Sequence, residues 1–135
     1  MPVLTLPVSF GDAADRITIL ELKKARIADA DKRAHVEAEL EMVSPPFFSA
    51  VTDTPKFRSL FMRLTEVNEA LWKIEDDIRA CEHKGDFGPE FIRLARAVYA
   101  TNDERARVKR ELNMLFGSDI MEEKSYLDAG PPVPR

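Results

Sequence analysis

Polar and charged side chains occupy core-facing positions on two amphipathic helices that the sequence predicts between residues 64 and 113. Burying amides and charges costs free energy unless each group is paired. A helix hairpin that buries several of them is therefore either a device that fixes helix register or a binding site. Arg16 and Lys23 of the first predicted helix add two cations to this hairpin. The candidate ligand-binding residues are therefore Arg16, Lys23, Asn68, Trp72, Glu75, Asn102, Arg105 and Lys109.

Two interpretations of this set stay open. Four cations near two amides suit a pocket for an anionic or polyhydroxylated small molecule, and Trp72 could stack on a sugar or a base. The same residues also suit a paired network that fixes helix register, or plain surface salt bridges, with Trp72 at a helix interface. We favour the paired network, because charges on neighbouring helices most often neutralise one another.

The sequence offers no metal or cofactor site. Glu66 and Glu69 lie on one helical face, but a divalent cation needs several carboxylate oxygens that converge on it. The next helix lacks a second carboxylate pair that could supply them. The two histidines and the single cysteine, Cys81, do not have the spacing of zinc ligands. We therefore predict no catalytic residue, no metal and no cofactor, and we lean against an enzyme.

Composition limits the partners and the compartment. With 20 basic and 24 acidic residues the net charge is −4, which disfavours nucleic-acid binding. A single cysteine fits a reducing cytoplasm. The sequence contains neither a signal-peptide pattern nor an apolar run of about 18 residues. We expect a cytoplasmic protein with no membrane or nucleic-acid partner.

Local signals divide the chain into an extended arm and helices. Residues 1–10 alternate apolar side chains, and two prolines restrict this segment to an edge strand or a lone ribbon. A helix over about 12–28 is apolar nearly all round, which is typical of a central helix. A second helix over about 31–43 is predicted to end at Ser44-Pro45-Pro46, followed by a loop over 44–54.

The two later helices have clearer boundaries. Thr54 and Pro55 predict the start of a helix that runs to about Glu82, and Gly85 follows its end. The last helix is predicted over 89–117. A capping pattern at Thr101 could break it, but the apolar spacing stays in phase, so we predict one continuous helix.

These elements predict an all-α fold, a helical bundle of about four helices with a long antiparallel hairpin and a short extended N-terminal arm. We expect residues 1–128 to form a single domain and residues 129–135 to form a disordered proline-rich tail.

Five segments spread over the chain also carry a family resemblance. They are Pro7-Val8-Ser9-Phe10-Gly11; Asp15-Arg16-Ile17-Thr18-Ile19-Leu20; Asn68 with Leu71-Trp72 and Ile74-Glu75; Asn102-Asp103 with Arg105-Ala106 and Lys109; and Gly117-Ser118 with Glu122-Glu123-Lys124-Ser125-Tyr126. As a set they resemble a small bacterial family of uncharacterised proteins, a domain of unknown function. The resemblance implies no reaction. It implies an accessory role linked to surface-polysaccharide synthesis and a docked segment around Glu122–Tyr126.

The sequence thus leads to one favoured function and one alternative. The favoured function is a non-enzymatic interaction or accessory protein that acts as a homo-oligomer, with a dimer favoured. The alternative is a small-molecule-binding module or enzyme that takes a nucleotide, nucleotide sugar or dicarboxylate in a basic, polar cleft between helices.

Overall fold

The computed structural model describes residues 2–125, and the all-α fold is confirmed. The described residues form four helices and contain no strand: α1 (Phe10–Arg26), α2 (Ala30–Ala50), α3 (Pro55–Lys84) and α4 (Pro89–Phe116). None of these helices carries an apolar stretch long enough to cross a bilayer. The predicted tail over 129–135 lies outside the described residues.

Side-chain and glycine caps set the helix boundaries. Those of α3 lie where the sequence predicts them, whereas α1 begins and ends two residues before the predicted 12–28. Ser9 and Thr54 precede α1 and α3, and each hydroxyl accepts a hydrogen bond from the backbone N–H three residues later. Pro55 occupies the first turn of α3. Gly85 ends α3 with φ at 69°, a left-handed conformation that favours glycine.

The prediction that the proline pair ends the second helix is wrong, because α2 continues through Pro45 and Pro46. Each proline lacks the N–H that would bond to the carbonyl four residues earlier, which belongs to Glu41 or Met42. Both of those residues are exposed, so water can bond to the freed carbonyls. The helical continuation buries Phe47 to 5% exposure against the core. Tertiary packing of Phe47 thus outweighs the local preference of the proline pair to end the helix.

The predicted continuity of α4 is confirmed, since the helix passes through Thr101 without a break. It packs along α3, to which a short turn connects it. Arg63 in the first third of α3 forms ion pairs with Glu104 and Glu111 in the second half of α4. This is the pairing that an antiparallel hairpin produces.

α1 is the central helix of the bundle, as its apolar surface predicts, and it contacts each of the other three. Its core residues Ile17 and Leu20 pack with Leu64 of α3 and with Val108 and Leu112 of α4. α1 therefore has to present any polar side chain either to solvent or to a partner on a neighbouring helix.

Candidate functional site

Asp15 is the buried carboxylate on which the polar side chains of the bundle converge. It lies in the second turn of α1, on the helical face that also carries Gly11 and Thr18. Its side chain is only 8% exposed. A carboxylate at this depth has to be paired, because an isolated buried charge is too costly to keep.

Both neighbouring helices supply donors to Asp15. Asn68 of α3 donates from Nδ2 to Oδ1 at 2.9 Å. Arg105 of α4 donates from Nε to the same oxygen at 2.9 Å, and from Nη2 to Oδ2. The hydrogen bonds from Arg105 raise the pKa of its guanidinium, against the opposing effect of burial. The carboxylate therefore ties α1 to α3 and α4 at one level of the bundle.

Thr18 completes the arrangement around Asp15. Its hydroxyl accepts a second hydrogen bond from Nδ2 of Asn68 at 2.9 Å and donates to the backbone carbonyl of Asp15 at 2.8 Å. The side-chain amide of Asn68 thus has both of its N–H groups directed at α1. A one-residue shift of α3 along α1 would leave this buried amide without its partners.

Lys109 forms a second ionic centre beside Asp15. Its Nζ lies 2.8 Å from Asp12 Oδ1 and 2.8 Å from Glu122 Oε2, and its side chain is 12% exposed. Burial acts to lower the pKa of Lys109, but the hydrogen bonds that its ammonium donates to Asp12 and Glu122 outweigh it, and the pKa is raised. Lys109 is therefore held as a cation with two carboxylates of its own chain.

α1 and α4 approach each other most closely at Gly11. Its backbone N–H donates to Oδ1 of Asn113, a side chain that is 1% exposed, at 2.6 Å. A Cβ at this position would lie 2.4 Å from the carbonyl oxygen of Lys109. Only glycine fits this contact, and the contact brings Asp12 within reach of Lys109.

The segment after α4 folds back onto that helix. Besides the Glu122–Lys109 pair, Glu123 lies 3.1 Å from Arg110, and Nδ2 of Asn113 contacts the sulfur of Met121 at 3.7 Å. The described part of the segment from Glu122 to Tyr126 therefore docks on its own α4. Tyr126 lies outside the described residues.

We call these residues the polar cluster: Gly11, Asp12, Asp15, Thr18, Asn68, Arg105, Lys109, Asn113 and Glu122. Within residues 2–125, every buried side-chain nitrogen and oxygen has a hydrogen-bond partner. A polar network that is satisfied throughout rigidifies a core and specifies one arrangement of it. The polar cluster can therefore hold three helices and the following segment in one register.

The structure gathers three of the eight candidate ligand-binding residues into the polar cluster: Asn68, Arg105 and Lys109. Arg16 and Glu75 lie elsewhere on the surface, paired with Glu39 of α2 and Arg79 of α3. The remaining three are half-buried. The guanidinium of Arg26 lies over the Trp72 ring, 5.7 Å from its centroid. The side chains of Lys23 and Asn102 form no hydrogen bond or ion pair with the described part of the chain.

Sequence reasoning missed the acidic half of the polar cluster. Neither Asp12 nor Asp15 is among the candidate binding residues, and Asp15 is the more important omission because it is buried. The signal that could have found it is the run Gly11, Asp15, Thr18, with four- and three-residue spacing. That run places a small residue, an acid and a hydroxyl on one helical face.

Among the open depressions that lie apart from the polar cluster, two are lined mainly by apolar side chains. One, of about 700 Å³, lies between the end of α2 and the start of α3, and we call it the phenylalanine groove. It is lined by Phe48, Val51, Asp53, Phe57, Arg58, Phe61, Met62 and Thr65. The other, of about 560 Å³, lies on the outer face of α4 and is lined by Pro89, Ile92, Arg93, Arg96, Ala97, Tyr99 and Ala100.

The fold and the polar cluster define an all-α helical bundle whose buried charges are neutralised within the chain. Residues 4–134 match the model of a family described as "Family of unknown function (DUF6165)", and the chain belongs to that family. The search of curated proteins gave no match, and neither did the search of solved structures.

Proposed function

We propose that this protein works by binding other protein chains, first of all a second copy of itself, and that it catalyses no reaction. The proposal rests on the contrast between the charges of the polar cluster and the apolar side chains at the surface. The charges of the polar cluster are taken up by the chain's own carboxylates. Large apolar side chains, in contrast, stay exposed on the outside of the bundle. Contiguous apolar surface on a soluble protein marks an interaction site.

The outer face of α4 has the composition of such a site. Ile92, Arg96 and Tyr99 follow each other at four- and three-residue spacing and line the same depression. Ile92 is 55% exposed and Tyr99 is 58% exposed. Tyrosine and arginine are enriched among the residues that dominate binding energy at protein interfaces. This face suits a partner protein with an apolar centre and an acidic rim.

Light scattering of the full-length protein tests the proposal. One chain has a mass of 15.3 kDa, and we expect a particle of twice that mass at micromolar concentration. Dilution should dissociate it with a defined Kd, as expected for a specific interface and not for aggregation. A mass of 15.3 kDa at every concentration up to the millimolar range would contradict self-association.

A second candidate function is binding of a small anion beside Lys109. A cavity of about 180 Å³ lies there, lined by Arg107, Arg110 and Asn113 among others. A ligand entering it would have to displace the carboxylate of Glu122 from Lys109. Because the family resemblance implies a setting in surface-polysaccharide synthesis, nucleotide sugars are the first compounds to test. Ligand-induced stabilisation separates this function from the first.

A further inference from the structure

The apolar residues that precede α1 are the most exposed large hydrophobic group in the described chain. We call residues 2–8 the arm; Val3, Leu4, Leu6 and Val8 are 66%, 81%, 64% and 56% exposed. The next residue, Ser9, is 1% exposed and caps α1. The arm therefore leaves the bundle from a fixed point and lies largely in solvent.

The arm and the phenylalanine groove lie at the same end of the bundle. Phe10, the first residue of α1, packs on Phe116 with ring centroids 5.1 Å apart. Phe116 packs on Phe57, a wall of the groove, at 5.7 Å. Seven extended residues span roughly 24 Å, so an arm that starts here is long enough to cross a groove at this end.

The arm and the groove match in chemistry. The arm has no charged residue, in a chain of which 33% is charged. The charged residues of the groove, Asp53 and Arg58, pair with each other at 2.7 Å and leave phenylalanines as its main lining. Prolines at both ends of the arm favour an extended backbone. Aromatic grooves bind extended, proline-containing segments, because little conformational freedom is lost on binding.

Within one chain both surfaces stay open to solvent. The arm is more than half exposed at each of its large apolar residues, and in the groove Phe48 is 48% exposed and Met62 is 63% exposed. A twofold axis at this end of the bundle would bring each arm to the groove of the other copy. Such an isologous contact covers two arms and two grooves at once and leaves no open end for further growth.

We propose that two copies of this chain dimerise by exchanging arms, with residues 2–8 of each copy lying in the phenylalanine groove of the other. The proposal rests on the self-association proposed above and names its interface. It also gives the surface on α4 a separate role, since that surface stays free for a partner protein in the arm-exchanged dimer.

Mixed disulfides between two single-cysteine variants test the exchange. The only native cysteine is removed as Cys81→Ala, and in that background one chain carries Leu6→Cys and the other carries Met62→Cys. After mixing and mild oxidation, we expect a disulfide that joins the two different chains. Phe87→Cys is a matched control for Met62→Cys because it is similarly exposed, at 54%, and lies in the turn between α3 and α4, at the far end of α3 from the groove. It should not cross-link to Leu6→Cys.

Each of the alternative outcomes contradicts the arm exchange and indicates a different arrangement. A particle of dimeric mass without the mixed disulfide would leave self-association intact and refute the arm as its interface. A disulfide within one chain of the Leu6→Cys/Met62→Cys double variant, in a monomeric protein, would place the arm in its own groove and refute both proposals. A disulfide of Met62→Cys with Val133→Cys, and not with Leu6→Cys, would assign the groove to the C-terminal tail.

A charge placed on the arm gives a second, independent measurement. Leu4→Asp with Leu6→Asp should raise the dimer Kd by on the order of 100-fold, because two carboxylates would have to be desolvated in the groove. The fold should not change, since both side chains are exposed, and circular dichroism checks this. Phe87→Asp adds a charge at a similarly exposed site in the turn between α3 and α4 and should leave the Kd unchanged. An unchanged Kd in the arm variant would overturn the exchange.

Discussion

Replacing Asp15 with alanine is expected to lower the free energy of unfolding by about 3 kcal/mol. The substitution leaves the half-buried guanidinium of Arg105 without its carboxylate and removes an acceptor from the buried amide of Asn68. Losing one partner of a buried charge pair is costly because the other stays desolvated and unpaired. Chemical denaturation followed by circular dichroism measures the change.

The control for Asp15→Ala is an exposed carboxylate–arginine pair that joins α1 to α2. Glu39→Ala removes the carboxylate that pairs with Arg16, where both side chains are more than a third exposed. We expect it to cost less than about 1 kcal/mol. In contrast, Asp15→Leu combined with Arg105→Met should recover much of the lost stability, since no buried charge remains. Equal losses in Asp15→Ala and Glu39→Ala would contradict a central role for Asp15.

Gly11→Ala should be the second most damaging substitution, with an expected loss of about 2–3 kcal/mol. The added Cβ would lie 2.4 Å from the carbonyl oxygen of Lys109 and 2.9 Å from its carbonyl carbon. Backbone atoms cannot rotate away, so α1 and α4 have to move apart. That movement also stretches the hydrogen bond from Gly11 to Asn113. Thermal and chemical denaturation both measure the effect.

Gly88→Ala is the matched control for this substitution. Gly88 precedes α4 with φ at −81°, and the nearest atom to an added Cβ is the Oδ1 of the Asp86 side chain, at 3.3 Å. We expect a loss of about 0.5–1 kcal/mol, because alanine is a poorer helix N-cap than glycine. Wild-type stability in Gly11→Ala would mean that α1 and α4 do not need this close approach.

Helix boundaries were predictable where they depend on a few neighbouring residues. Thr54 with Pro55 starts α3, and Gly85 ends it, because a cap needs only one hydroxyl or one left-handed residue. The proline pair in α2 follows a local rule of the same kind. The prediction from that rule was wrong for α2, because the helix continues in order to bury Phe47 against α3, and a local rule does not include that contact.

The polar cluster was predictable only on the helices with a clear apolar stripe. Asn68, Arg105 and Lys109 stand on such stripes, so their inward direction follows from the helical period. α1 contacts all three other helices and so buries a wide face, and its sequence leaves open which side of that face meets α3 and α4. The sequence therefore indicates Arg16 as a member of the site, whereas the residue before it, Asp15, is the one that meets Arg105.

The most direct test of whether the polar cluster serves the fold is the melting temperature of the full-length protein with added ligands. The compounds to add are nucleotide sugars, nucleotides and dicarboxylates, each at millimolar concentration. We predict no shift with any of them, because Asp12, Asp15 and Glu122 already neutralise Arg105 and Lys109. A saturable rise in melting temperature that Lys109→Met abolishes would contradict this and identify the polar cluster as a ligand site.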